Sequence, residues 1–418
     1  MSYNNETLSE KLLLKPKISS LPENVRGKVY SILGITEADD EDVRIVDEEN
    51  VGSFDLLLFH YVKATPRTQD IRGVVLAVDA IRGIVEVKCS SFPHTEEIPL
   101  KEVKANKEKY AALLTSTTEA TIAYEGTILR IFHYQDEPLL PNSRWFFPTH
   151  KKLDGTSSRW AGPSFGAMLE QAWPDYKKHL EEGLLNKRKC YVFLVAHPDN
   201  KLVCDIEKPI VRLVGVYAFP QLVGVYAVPD DDTSTKMRRC PVETAFPENM
   251  ILPFEIAKPF PVKTLDDVIK TVEDLKLKDS CGVLLSNVVT NTCIKIVPDD
   301  YHVQREVRGN EPNLRLRYLE LRKQGRLKEI HDLFPEKKTF FNTIENDIED
   351  VHKYLIDCYN RKYRQRSFVR LPPEDYYIIT ATSKNYDTKL SLLENIKAQV
   401  ATSNPRQLNA MINHMKGR

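Results

Sequence analysis

Residues 120–137 read ATIAYEGTILRIFHYQDE. Two runs of β-branched and aromatic residues, one ending at Tyr124 and one starting at Thr127, flank the pair Glu125-Gly126. That composition, broken by a glycine, predicts two strands meeting at a turn. The same texture extends from Phe54 to about Val297, in DLLLFHYV, RGVVLAVDAIRGIVEVKCSSF, RWFFPTH and CYVFLVAHPDNKLVCDI. Two helical stretches interrupt it. SFGAMLEQAWPDYKKHLEEGLL is expected to split at Pro174, and TLDDVIKTVEDLKL has Thr264 as its cap. Upstream, SSLPENVRGKVYSILGI predicts a helix capped by Ser20 and stopped at Gly34, and TEADDEDVRIVDEEN predicts a surface loop with a short strand.

Beyond Tyr301 the period changes to that of helices, in NLRLRYLELRKQGRLKEIHDLF, FFNTIENDIEDVHKYLIDCYNRKY and KLSLLENIKAQV. The expected organisation is an N-terminal helix and strand segment over 1–70 packed on a strand-rich domain over 71–301. A helical domain over 302–418 follows. A nine-residue tandem copy, LVGVYAFPQ at 213–221 and LVGVYAVPD at 222–230, reads as a local duplication lengthening a hairpin; it is too short for a solenoid unit.

The 418 residues hold 59 basic and 59 acidic side chains, so the chain is no polyelectrolyte. From His302 onward there are 22 Lys+Arg against 15 Asp+Glu, an excess of +7 that leaves −7 upstream. A basic C-terminal region suits an anionic partner. The seven cysteines are odd in number and widely spaced with no C-x-x-C pair, which argues against a disulfide framework or structural zinc. With no signal-like or membrane-spanning run, a cytoplasmic protein is expected, with no membrane partner.

The tetrapeptide Lys152-Leu153-Asp154-Gly155 raises a specific chemistry. In covalent nucleotidyl transfer a deprotonated lysine amine attacks an α-phosphate, and further cations neutralise the charge that builds on the triphosphate. Those groups must converge from several strands, so an ordered series of strand motifs is needed. The chain has one: IRGVVLAVDAIRGIVEVKCSSFPHTEE, then KRKCYVFLVAHPDNKLVC, then SCGVLLSN and TCIKIVPDDY, then RGNEPNLRLRYLELR. This series resembles the bacteriophage-type RNA ligase family and related proteins of large cytoplasmic DNA viruses. The resemblance implies an α+β fold, an antiparallel-sheet nucleotidyltransferase domain followed by an all-helical C-terminal domain. It also implies that Arg72 organises the site, that Lys295 contacts phosphate, and that ATP and Mg²⁺ serve an active enzyme.

The chain departs from the family's pattern. Phe193 stands where the third motif carries glutamate, Cys281-Gly282 where the fourth carries Glu-Gly, and Val297 where the fifth offers a second lysine. Two registers compete for the nucleophile. In one, YEGT is the motif and the lysine position is Ala123. In the other it is Lys152, and 121–148 becomes an inserted strand pair. The candidate residues are therefore Lys152 and Lys295 for catalysis, and Arg72, Glu125, Lys151 and Asp154 for nucleotide binding, with no metal ligands proposed. For RNA, YNRKYRQRSFVR at 359–370 interleaves rings with Arg361, Arg364 and Arg366, and Arg315 and Arg317 extend the basic surface.

Three functions remain open. The chain is a ligase-like protein that binds RNA or nucleotide without the covalent step, an active ATP-dependent RNA ligase using Lys152, or a structural or polymerase-associated viral subunit. RNA is the expected partner, with viral or host RNA-processing proteins as others.

Overall fold

The computed structural model describes residues 12–135, 143–160, 162–218, 238–242, 245–247, 249–278, 280–287, 289–290 and 292–417. The second copy of the tandem repeat lies outside these residues. The chain forms two compact units, Met1–Asp299 and Asp300–Arg418.

The first unit is built on three sheets. Strands β1 (Val43–Val51), β2 (Phe54–Tyr61), β3 (Arg72–Asp79) and β4 (Ile84–Cys89) form an antiparallel meander in chain order. The acidic stretch before it is a 3₁₀ turn over Glu37–Asp42, closed by a Thr36–Asp39 capping box, and β1 is nine residues long. It is thus more regular than the surface loop expected of it. β2 and β3, on either side of residue 70, are hydrogen-bonded neighbours. The helix Glu23–Leu33 ends at Gly34 in the left-handed conformation, but Pro22 occupies its N-cap and Ser20 does not cap it. Proline supplies the fixed φ that starts a helix, so the hydroxyl two residues earlier is not needed.

The second sheet has the order β11-β10-β9-β7-β8, from β7 (Thr127–Tyr134), β8 (Arg144–Phe146), β9 (Lys189–Ala196), β10 (Ile210–Ala218) and β11 (Arg238–Cys240), with β12 (Glu255–Ile256) parallel to β10. The third has the order β13-β6-β14-β15-β5, from β5 (Thr95–Pro99), β6 (Thr118–Tyr124), β13 (Pro259–Phe260), β14 (Ser280–Asn287) and β15 (Thr292–Val297). β5 and β15 run parallel, the others antiparallel. The break in the opening stretch is where the chain changes sheet: β6 belongs to the third and β7 to the second.

One face of the third sheet, with Ile98, Ala120, Val283, Leu285 and Ile296, packs on Leu265, Val268, Ile269 and Val272 of the helix Leu265–Asp274. That helix begins at Thr264 in a capping box, as its sequence predicts. The helical stretch 164–185 divides as expected, into Phe165–Ala172 and Tyr176–Glu181, with Asp175 at φ 58° between them. The apolar run after β9 is corrected: Pro198–Asn200 forms a 3₁₀ turn, and residues 202–206 are not a strand. Their backbone is held by a side chain, described below, which removes the need for a ladder partner.

The second unit is helical, its longest helix being Lys338–Tyr359. Among the described residues no helix is long and apolar enough to cross a membrane.

Candidate functional site

The sequence-predicted residues fall into distinct groups. On β6, Ala123 lies opposite Gly282 of β14, and on β15, Lys295 lies opposite Leu284 of the same strand. Positions two apart share a face, so Ala123 and Lys295 occupy the same face of the third sheet, the one turned away from the helix-packed core. A Cβ at 282 would sit 2.2 Å from the Ile296 carbonyl, so glycine is what lets β15 approach here. Cys281 donates its thiol to the Ala123 carbonyl (3.4 Å).

Lys295 is the charged residue that the family series retains, and it is matched. Its Nζ is 2.5 Å from the carboxylate of Glu97, its in-register partner on β5. Burial works to lower its pKa, but the neighbouring Cys281, Glu97 and Glu125 outweigh that and the net shift is upward. Glu125 is buried, and its carboxylate accepts the backbone N–H groups of Val203 (3.1 Å) and Cys204 (2.8 Å). This is the side chain that holds the 202–206 segment. Phe193 is fully buried among Trp173 and Phe254, an aromatic core contact where the family pattern has an acid.

With Glu97 committed to Lys295 and Glu125 to two amides, this donor set does not fit Mg²⁺, which needs free carboxylate oxygens. Among the described residues no group of three His, Cys, Asp or Glu side chains could hold a metal ion.

A second group collects cations. Arg130 on β7 is fully buried, donating Nη1 to the Gly73 and Ser90 carbonyls and Nη2 to that of Thr149. Gly73 has φ +84°, and a Cβ there would meet Arg130 Nη2 at 2.5 Å and His150 Cα at 2.8 Å. Glycine therefore admits both the guanidinium and the 149–152 turn. Arg72 lies opposite His60, whose ring is 6.4 Å from that of His150, and Arg72 Nε is buried with no hydrogen-bond partner among the described residues.

Lys151 stands beside Arg72: burial, then the Arg72 charge, lowers its pKa. His150 is held well below its ordinary value, first by burial and then by Arg130, Arg72, His60 and Lys151. Among the described residues, Arg72, Arg130 and Lys151 form no ion pair with a carboxylate. Five cationic or protonatable groups thus converge with no carboxylate partner among the described residues.

Lys152 stands apart from both groups. It is 57% exposed with Nζ 3.4 Å from Asp47 of β1, and the Asp47 carboxylate also accepts the Leu153 N–H at 2.8 Å. Solvent and a carboxylate are the opposite of what deprotonates a nucleophilic lysine. Asp154 accepts from the Thr156 N–H (2.9 Å) and hydroxyl (2.7 Å), and bridges to Phe147. The motif is a tied turn, and it is Lys151, the residue before it, that has the desolvated, cation-neighboured amine.

In the helical unit, Arg317 spends its guanidinium on the Val307 and Glu306 carbonyls and on Glu320, and Arg315 donates to Asn413. Arg361 and Arg364 lie on the π-helical turn Asn360–Arg364, with Arg361 3.7 Å from Asp357, and Arg366 follows in the left-handed conformation. Around them Phe368 is 91% exposed, and Tyr376 and Tyr377 are 50% and 62% exposed. Lys362 caps the Tyr376 ring at 3.7 Å. The sequence flagged the basic residues and Phe368 but missed Tyr376 and Tyr377, because a Tyr pair beginning a helix resembles a buried face.

The histidines give a test of this electrostatic picture. Burial, aided by Lys151, Arg72 and Arg130, pushes the His60 pKa down to about 4. Below the ordinary unfolded value of about 6.5 the unfolded chain takes up a proton that the folded chain refuses. Stability therefore falls as pH drops from about 6.5 to about 4, by roughly 2 kcal/mol at pH 5 from His60 alone. Urea midpoints measured at pH 7 and pH 5 are expected to lie closer together in His60→Gln than in the parent; equal spacing would disprove the assignment.

Fold and site together define an α+β protein with a matched lysine–glutamate pair on one sheet and an unmatched cationic cluster between two others. No family model matches the chain. It is 25% identical over 379 residues to the immediate-early protein ICP-46 homolog of Invertebrate iridescent virus 3, covering 85% of this chain and 76% of that one. It is 24% identical over 312 residues to the corresponding homolog of Invertebrate iridescent virus 6, covering 71% and 62%. Among solved structures, an archaeal ATP-dependent RNA ligase aligns with TM-score 0.41 and 11% identity, over 78% of this chain and 72% of the ligase.

Proposed function

We propose that this chain binds RNA or nucleotide through phosphate on a ligase-like nucleotidyltransferase scaffold and does not form the lysyl-nucleotide intermediate. The observation that carries the reading is the Arg72–Lys151–Arg130 cluster, which gathers positive charge with no carboxylate counter-ion among the described residues. Assembling like charges half out of water costs free energy that an incoming phosphate would return. The missing covalent step rests on Ala123 at the lysine position of the YEGT register and on Lys295 being paired with Glu97. The basic, ring-bearing surface around Arg361, Arg364, Arg366 and Phe368 would add contacts to single-stranded RNA.

A second reading, covalent transfer, has one observation in its favour, the lowered pKa of Lys151. Incubation with α-labelled ATP and Mg²⁺ or Mn²⁺ separates the two. Under the first reading no label stays on the denatured protein, while ATP or a 5′-phosphorylated oligoribonucleotide binds the folded chain. A labelled band lost in Lys151→Ala or Lys152→Ala would overturn it. A structural or polymerase-associated subunit would bind neither ligand.

A further inference from the structure

β8 is an edge strand of the second sheet, and its central residue, Trp145, packs against the core of that sheet but is only partly buried. The residues on either side of it differ: Phe146 stacks on Phe132 at 5.3 Å inside the fold, whereas Trp145 touches His133 edge-on at 5.1 Å and remains partly exposed. Two cavities open against the indole. One, of about 370 Å³, is lined by His133, Arg144, Trp145, Lys177, Glu181 and Lys187 among others. The other, of about 380 Å³, shares Arg144, Trp145, Phe147 and Lys177 and adds Glu49, Asp154, Thr156 and Tyr176.

The two cavities share Arg144 and Lys177 and differ in their other charged groups. Arg144 is paired with Glu49 and lies over the Phe146 ring at 4.5 Å, so it is already engaged. Lys177 and Lys187 are exposed and form no ion pair among the described residues. The first cavity thus has two ammonium groups without a carboxylate partner among the described residues, Lys177 lying over the Tyr176 ring at 5.9 Å, against the single carboxylate of Glu181. The second has a carboxylate, Asp154, whose Oδ1 is bound by Thr156 and whose other oxygen can accept. A partly exposed aromatic plate between two cavities that share Lys177, one adding Lys187 and the other an acceptor carboxylate, matches a nucleotide unit. The base stacks on the plate, its donor edge meets a carboxylate, and the flanking phosphates meet lysines. An acidic polypeptide would use the lysines but has no ring for the indole.

We propose that Trp145, with Lys177 and Lys187, forms a subsite for single-stranded RNA in which the indole stacks one base and the lysines hold the adjoining phosphates. This extends the RNA-binding reading to side chains that neither the motif series nor the Arg72 cluster includes.

Intrinsic tryptophan fluorescence in a Trp160→Phe background tests it, because of the three tryptophans Trp173 is buried while Trp145 and Trp160 are both partly exposed. Titration of the full chain with a short oligoadenylate is expected to quench emission, and Trp145→Phe is expected to abolish that quenching. Trp145→Ala is expected to weaken binding roughly tenfold or more, the usual worth of one stacked base. The double variant K177E/K187E, on exposed positions that leave the fold untouched, is expected to bind more weakly and with a shallower salt dependence.

If the oligonucleotide binds without quenching, or Trp145→Ala binds like the parent, the subsite is wrong while RNA binding stands. If no oligonucleotide binds, both fall. Equal quenching by an oligoglutamate would identify a surface for acidic polypeptides and also overturn the proposal.

Discussion

Arg130→Met is expected to destabilise the fold by about 3–5 kcal/mol, the cost of three carbonyls losing a buried charged donor less what water returns. Methionine fills much of the volume, but it leaves the Gly73, Ser90 and Thr149 carbonyls without a donor. Each orphaned carbonyl costs about 1–3 kcal/mol, partly relieved where water can reach it. The three acceptors come from β3, from the residue after β4 and from the turn after β8, so one guanidinium ties the first sheet to the second. The check is a urea titration with the parent and variant side by side. A midpoint loss equivalent to less than about 1 kcal/mol would mean that those carbonyls find other donors, and that Arg130 is peripheral to the junction.

The second large effect concerns binding. The double variant R72A/K151A is expected to lower affinity for a 5′-phosphorylated oligoribonucleotide by about a hundredfold or more, since each charge-assisted hydrogen bond contributes about 1.5–3 kcal/mol. The slope of log affinity against log salt should become shallower by about one to two units. Both side chains are only partly buried and lack ion-pair partners among the described residues, so stability should change little. Unchanged affinity would remove the observation on which the proposed function rests. The same change applied to Lys152, which faces Asp47, is expected to alter binding by less than about threefold, the small worth of an exposed ion pair.

Much of the architecture could be read without coordinates. The strand runs, the split at Pro174, the Thr264 cap and the helical texture after Tyr301 all follow from local chemistry that the structure repeats. The errors were local where a neighbour decided the outcome. Ser20 looks like a cap but lies outside the helix that Pro22 begins. The apolar run at 202–206 looks like a strand, but the Glu125 carboxylate takes its amides.

The site was less legible. Lys152 and Lys151 are adjacent letters, and no pattern distinguishes a solvated ion pair with Asp47 from a half-buried amine beside Arg72. Those partners lie on β1 and β3, 105 residues before Lys152 and 79 before Lys151, beyond the reach of any short motif. Trp145 shows the same limit. In RWFF it reads as one more core aromatic, and only the pairing of β8 at the sheet edge leaves its ring to the cavities.

By itself the sequence determined the element types, the strand-rich body and the change to helices after Tyr301. Those are properties of side-chain type and period, which act over a few residues. Tertiary structure alone decided that Lys295 is paired with Glu97, that Glu125 serves as a backbone clamp, and that Arg72, Arg130 and Lys151 meet without a carboxylate counter-ion among the described residues. Charge compensation depends on which strands become neighbours, and in these sheets β5 pairs with β15 across almost two hundred residues.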